Sequence, residues 1–259
     1  MASGRHVTLL LLMLGYAGWA SGGCREAQLP RDCEALCSFD QHGQVTSCEL
    51  RAAVLLVNNS KYEISLMKVM PVLDLAVAKA RSLGLLPYWL KLTFFPQDDG
   101  CDATYAQIGA IDSYSSCVHV FFGPACDYCV ASVGRITKFL NAPLITTGGF
   151  TYDFTEKKVT CADEYFMTVR MGALSFRDIA FVFIDQMKRN RWKKMHLLYD
   201  TNGQNVVAGR HTCQLMMKSM VQFVKKEEID YGTFDVDSVH VKDYPEVLRD
   251  HIGNVYSGE

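Results

Sequence analysis

One short stretch of this sequence concentrates residue types that could do chemistry: Gly123-Pro124-Ala125-Cys126-Asp127-Tyr128-Cys129. Three chemistries fit it. Cys126-x-x-Cys129 has the spacing of a thiol redox pair, and a cysteine at a helix start has a lowered pKa because unpaired amides favour the thiolate. Alternatively, the Ala125 and Cys126 amides would point outward at that helix start and could hold a small anion. The third reading is structural: each cysteine sits in a separate disulfide. The sequence holds ten cysteines, so many partners are available, and Asp127 beside the thiol opposes a thiolate. An oxidising compartment favours this third reading.

Elsewhere the chemistry is thin. His42, His119, His196, His211, His240 and His251 show no metal-binding spacing. His119 and His196 read as sheet residues, and His211 as a solvated helix opener. Cys117, His119 and Cys161 are too scattered for a zinc site, which usually shows two close ligand pairs. No nucleophile elbow and no phosphate loop occurs. Asp98-Asp99 before Gly100 reads as a turn. Met216, Met217 and Met220 recur at helical spacing and read as core or interface. No catalytic residue, metal or organic cofactor is expected.

These residues must be positioned by a regular alternation of elements. Apolar runs predict strands at 51–57, 89–95, 118–122, 144–147, 194–199 and 232–236. Helical periodicity predicts helices at 68–83, 104–114, 128–140, 176–188, 210–224 and 244–251. Ser175 and Asp178 resemble a capping box. Strands alternating with helices imply βαβ units and a mostly parallel sheet, which binds ligands beyond the carboxyl ends of its strands. The loops that matter are then 58–66, 96–103, 123–129, 148–165 and 200–209. The segment 148–164 is long for a connector, and it could mark a crossing between two lobes. Tyr128 and Arg135 lie seven residues apart on one helix, so on about the same face. Glu164 and Tyr165 end the long loop. Two tyrosines and an opposite-charge pair suit recognition; the bland alternative is a surface Arg135–Glu164 ion pair worth about 0–1 kcal/mol.

With 259 residues, 49% hydrophobic and 21% charged at a net charge of −2, the chain has the balance of a globular protein. It carries no basic run of the kind that marks a nucleic-acid partner. Arg5, the apolar run 7–14 and the small residues Ala20, Ser21 and Gly22 read as a secretory leader over 1–22. The run is shorter than the roughly 20 residues of a spanning helix. A disulfide-tied, Cys-rich extension is expected over 23–49, a first lobe over 50–165 and a partial second lobe over 166–259. Asn58-Asn59-Ser60 is a sequon placing a glycan on Asn58.

From Phe121 the chain resembles the extracellular domain of natriuretic-peptide-type receptors and insect receptor guanylate cyclases. The likeness runs through Phe121 to Tyr128, Val133-Gly134-Arg135, Ala142 to Gly149, and Asp163-Glu164-Tyr165 with Arg170. Trp192, Leu198-Tyr199 and Tyr244-Pro245 match less specifically. Cys126-Asp127-Tyr128-Cys129 and the stretch 205–217 favour the insect-type branch. The resemblance implies the type I periplasmic-binding-protein fold, α/β with Rossmann-like parallel sheets in two lobes, the second incomplete here. It implies a Cys101–Cys126 disulfide and a chloride ion held by the Ala125 and Cys126 amides. The family's supporting serine falls near Ser60, with Lys61 aligned to it. Ligand contacts correspond to Tyr128, Arg135, Glu164 and Tyr165, and an aromatic homodimer contact to Tyr114. Cys213 aligns with a cysteine whose partner falls just past Glu259. The full-length parent would bind an extracellular ligand, peptide-like, at the cell surface and make cGMP. A soluble decoy and a secreted thiol oxidoreductase using Cys126 and Cys129 are the alternatives.

Overall fold

The structure is a computed structural model that describes residues 33, 36–238 and 243–253. The expected leader and Cys24 fall outside them.

The run Ala52 to Val57 is buried throughout, so its alternating side chains must feed cores on both faces of a sheet. Its first five residues end β2 (Val45–Leu56), and Val57 follows in an isolated bridge to Ser65. Ala53, Leu55 and Val57 enter one core with Phe121, while Val54 and Leu56 enter the other. The parallel strands β3 (Leu90–Asp98), β4 (Val120–Phe122), β5 (Leu144–Thr146) and β6 (Thr168–Arg170) complete the sheet, with β2 paired to both β3 and β4. On the Val54 face lies α1 (Leu66–Ser82), turning Val69, Met70 and Leu73 inward. On the Leu55 face lie α2 (Ala103–Ser115) and α3 (Asp127–Phe139), which contribute Ala106, Ala110, Val130 and Val133. Asp102 caps α2 by accepting from the Thr104 amide at 2.8 Å. The four expected strands of the first lobe are therefore parallel and covered on both faces.

Two features depart from expectation. Residues within 23–49 showed no clear periodicity, yet β1 (Cys37–Phe39) pairs antiparallel with the start of β2. Asp40 makes the turn, its Oδ1 accepting from the His42 and Gln44 amides, both at 2.8 Å. Cys37–Cys48 bridges this hairpin, and Cys33–Cys117 ties its approach to the turn after α2. The long segment after β5 does not cross between lobes. It doubles back to lay β6 beside β5, three residues beyond the expected boundary at 165. The passage to the second lobe is 171–175.

The second lobe begins with α4 (Phe176–Arg189), whose N-cap Ser175 accepts from the Asp178 amide at 3.1 Å. The Asp178 carboxylate accepts from the Ser175 hydroxyl instead of reaching back to the backbone, so only half of the expected capping box forms. β7 (Lys194–Tyr199) and β8 (Asp230–Asp235) pair in parallel. α4 and α5 (Thr212–Val224) bury Ala180, Ile184, Met220 and Val224 with Leu197. Met220 is thus core, as its spacing suggested. The short α6 (Tyr244–His251) follows.

Two glycines let the carboxyl edge of the first sheet close. A Cβ on Gly123 would lie 2.1 Å from the Leu55 carbonyl oxygen, and one on Gly148 would lie 1.9 Å from that of Ala125. Backbone cannot yield as a side-chain tip can. Gly148→Ala should therefore destabilise the first lobe by about 2 kcal/mol or more, whereas Gly84→Ala, which meets open space at a positive φ, should cost about 1 kcal/mol. Denaturant melts of the two purified variants check the ranking.

Candidate ligand-binding cleft

The loops at the carboxyl edges of the strands converge, and the second lobe reaches over them. After β4, a cis Gly123–Pro124 bond leads to Cys126, the N-cap of α3. Cys126 is bridged to Cys101 in the turn after β3. Onto this bridge sits Gly209 of the second lobe: a Cβ there would lie 2.7 Å from the Cys101 sulfur and 2.9 Å from that of Cys126. The Glu63 amide, in the loop after β2, donates to the Val207 carbonyl at 3.4 Å. His211 meets Tyr128 edge to face, ring centroids 5.7 Å apart. Tyr152, in the loop after β5, meets Phe223 of α5. All five loops singled out from the alternation of strands and helices thus take part in one inter-lobe contact. Gly209, Val207 and His211 carried no signal of this in sequence. His211 is not a solvated helix opener: it holds a left-handed φ of 63° and its Nδ1 is shielded without a hydrogen-bond partner.

The expected disulfide is present, and it removes the thiol reading. Cys126 is oxidised, and Cys129 is a free thiol with no exposed surface. Burial, reinforced by Asp99, Asp102 and Asp127, pushes the Cys129 thiol well above its ordinary value. Cys117 pairs with Cys33, Cys161 is also disulfide-bonded, and Cys213 is free.

At the start of α3 the Ala125 and Cys126 amides donate to no acceptor among the described residues. Asp127 beside them is buried. Its Oδ1 accepts from the Thr151 amide at 3.1 Å and hydroxyl at 2.9 Å. Burial raises its pKa against the pull of those bonds. Ser60 and Lys61 are exposed in the loop after β2. Asn58 is exposed as well, its amide donating to Asp98 Oδ1 at 2.9 Å.

Of the four expected ligand contacts, three cluster. Arg135 Nε donates to Glu164 Oε1 at 2.5 Å, and its guanidinium lies 5.4 Å from the Tyr165 ring centre. Arg135 and Glu164 are about half exposed. Tyr165 is only 6% exposed and packs on Phe154, so its ring is core and supports Arg135 from beneath. Tyr128 is 44% exposed, two helical turns toward the cleft on the same helix. Tyr114 also lies inward, 9% exposed within the first-lobe core. On the outer side of α2, Tyr105, Ile108 and Ile111 are each at least half exposed.

This architecture and its sequence have clear relatives. Residues 68–239 match the family described as "Receptor family ligand binding region". The chain belongs to that family. It is 34% identical over 122 residues to the atrial natriuretic peptide receptor 2 of Anguilla japonica, covering 44% of this chain and 11% of the relative. The atrial natriuretic peptide receptor 3 of Mus musculus is 20% identical over 247 residues, 92% of this chain and 42% of the relative. A receptor-type guanylate cyclase of Caenorhabditis elegans is 32% identical over 129 residues, 46% of this chain and 10% of the relative. The chain thus spans less than half the length of these relatives. Among solved structures, an ABC transporter substrate-binding protein from Desulfitobacterium hafniense aligns with a TM-score of 0.58 at 14% identity, covering 78% of this chain and 55% of the other. A leucine-binding protein from Thermotoga maritima aligns at 0.54 and 12% identity, covering 79% and 54%. Such identities speak to the fold alone, which is the type I periplasmic-binding-protein fold. A member of the receptor ligand-binding-region family with disulfides in its first lobe is an extracellular ligand-binding domain. Among the described residues no helix is long and apolar enough to cross a membrane.

Two expectations follow from the cleft. Replacing Cys101 and Cys126 by serine should lower stability by about 2–5 kcal/mol and weaken the seat of Gly209, read as faster proteolysis at 200–211. Asp99, buried at the end of β3, accepts from the Cys101 amide at 2.9 Å, but its Oδ2 has no partner. Burial pushes its pKa up from 3.8 to about 6. Its protonated form favours folding, so that contribution is full below about pH 4 and is lost as pH rises through about 6. Asp99→Asn should then stabilise the domain at pH 7 by up to about 3 kcal/mol, with the gain vanishing near pH 4. Urea titrations at both pH values check it.

Proposed function

We propose that this chain is the ligand-binding part of the extracellular region of a receptor guanylate cyclase of the natriuretic-peptide-receptor kind. The observation that carries this reading is the docking of second-lobe residues Val207, Gly209 and His211 onto the first-lobe rim at Glu63, Cys101, Cys126 and Tyr128. A ligand entering this contact changes how the lobes meet, and a shift between lobes is a mechanical output that a membrane-anchored parent can transmit as cGMP synthesis.

The ligand is an extracellular peptide. Tyr128 offers flat, half-exposed area with a polar tip, and Arg135 and Glu164 offer both charges on one surface. Tyr165 acts from below by holding the Arg135 guanidinium against its ring face. The open Ala125 and Cys126 amides hold a small anion, chloride by the family resemblance. Lys61, in place of a hydroxyl, would add charge rather than a neutral donor. The parent functions as a homodimer. Support comes from α1 and α2, which both pack near the outer strand β3 and leave Met67, Val72 and Leu75, and Tyr105, Ile108 and Ile111, in solvent. Asn58 carries a glycan, on a loop exposed enough to accept one.

The test uses the full-length parent in cultured cells, with cGMP as the readout and a panel of secreted peptides as input. An activating peptide should appear, and Tyr128→Ala and Arg135→Ala should each raise its half-maximal concentration by about tenfold, the order expected when an interface anchor is lost, with surface expression unchanged. Unaltered responses in both variants would remove the site assignment.

A further inference from the structure

A second concentration of unspent charge lies away from this rim, on the passage between the lobes. Lys158, Thr168, Arg170, Arg177 and Asp178, with Phe154 at the wall, line an open recess of ≈ 500 Å³. It shares no residue with Tyr128, Arg135, Glu164 or the α3 amides. Arg170 ends the last strand of the first lobe and Arg177 opens the first helix of the second.

The three cations here are poorly matched by the protein. Lys158 Nζ donates to the Thr168 carbonyl at 2.6 Å, and Arg170 donates to the carbonyls of Gly148 and Leu174. Neutral oxygens thus hold both, and among the described residues neither has a carboxylate within ion-pair range. Arg177 has one acidic neighbour, Asp178 at 3.8 Å, whose other oxygen is taken by the Ser175 hydroxyl. Arg177 Nε is shielded from solvent yet hydrogen-bonded to nothing. Such an atom is costly to leave unpaired, and beside two cations held only by neutral oxygens it points to a missing partner. Glu156 stands exposed at the rim, free to swing into water. Burial and the neighbouring Arg170 guanidinium lower the Lys158 pKa, and burial lowers that of Arg170 against the pull of the Asp127 and Asp178 carboxylates, so both cations sit in a partly dry environment. The N-terminus of α4 adds positive potential there.

We infer that this recess binds the carboxylate of a small organic acid. Two guanidinium groups offer the planar forks that match a carboxylate, and Lys158 supplies a point charge. The volume exceeds what a monatomic ion needs, and Phe154, Phe166 and Val169 line the rest with apolar surface suited to a carbon skeleton. A bound acid would be held by Arg170 on one lobe and Arg177 on the other. It would brace the 171–175 passage and set the angle about which the cleft opens.

The test is direct binding to the purified secreted chain, so it stands or falls independently of receptor signalling. Calorimetric titration with succinate and with benzoate at fixed ionic strength should give saturable binding to at least one. Sodium chloride should give none at the same site. Arg177→Gln should weaken the binding by roughly tenfold, the loss expected when one fork of a charge-assisted pair is removed, and Lys158→Gln by a smaller factor. Arg135→Ala should leave it unchanged. If Arg177→Gln fails to fold, Arg177→Lys, which keeps the charge and loses the fork, takes its place with the same direction. Binding of neither acid, or binding that survives both the Arg177 and the Lys158 substitutions, overturns the inference.

Discussion

A strand buried on both sides can sit only where something apolar covers each face, and β2 imposes that condition on the whole first lobe. Its residues Ala52 to Leu56, and Val57 just beyond them, are almost wholly removed from solvent. Odd-numbered side chains demand one layer and even-numbered ones another. The chain meets the demand with α2 and α3 on one side and α1 on the other. Parallel pairing from β2 to β5 follows, because each of those returns to the sheet passes through a helix, and the long segment after β5 brings β6 back in the same sense. The location of the cleft follows too, since parallel strands bring all their carboxyl ends, and the loops leaving them, to one edge.

Much of this was written in the periodicity. The runs predicted at 194–199 and 244–251 match β7 and α6 at both ends, and the other helices agree within about two residues. Long amphipathic patterns and side-chain caps such as Asp102 leave little freedom in where a helix starts. What escaped has physical reasons. β6 is three residues long, too short to show a period of two. The β1–β2 hairpin is largely exposed, so no apolar alternation marks it, and its order comes from a disulfide and an aspartate turn.

The candidate site was legible in a different way. Which loops would meet followed from topology; which side chains would face solvent did not. Tyr165 and Tyr114 both carry the composition of a recognition surface, yet both rings point into the first-lobe core. Tyrosine can satisfy either setting, and only the packing around it decides. The charged recess at Lys158, Arg170 and Arg177 lay beyond sequence reading altogether. Its members come from a loop, a strand end and a helix start, spaced with no motif to join them.

Gly209 sets how closely the two lobes approach. With no side chain and a φ of 103°, it lets the second-lobe backbone rest on the sulfur atoms of Cys101 and Cys126. At this point the lobes meet through a hard, polarizable stop, set beside the ring contacts of His211 with Tyr128 and of Phe223 with Tyr152. Contact of that kind is short-ranged and has little area, so it makes and breaks with small displacements, as the seat of a valve does. Any residue larger than glycine at this position would act as a shim. It would hold the cleft ajar by about the width of the added atoms and tilt the balance between closed and open states without touching a ligand.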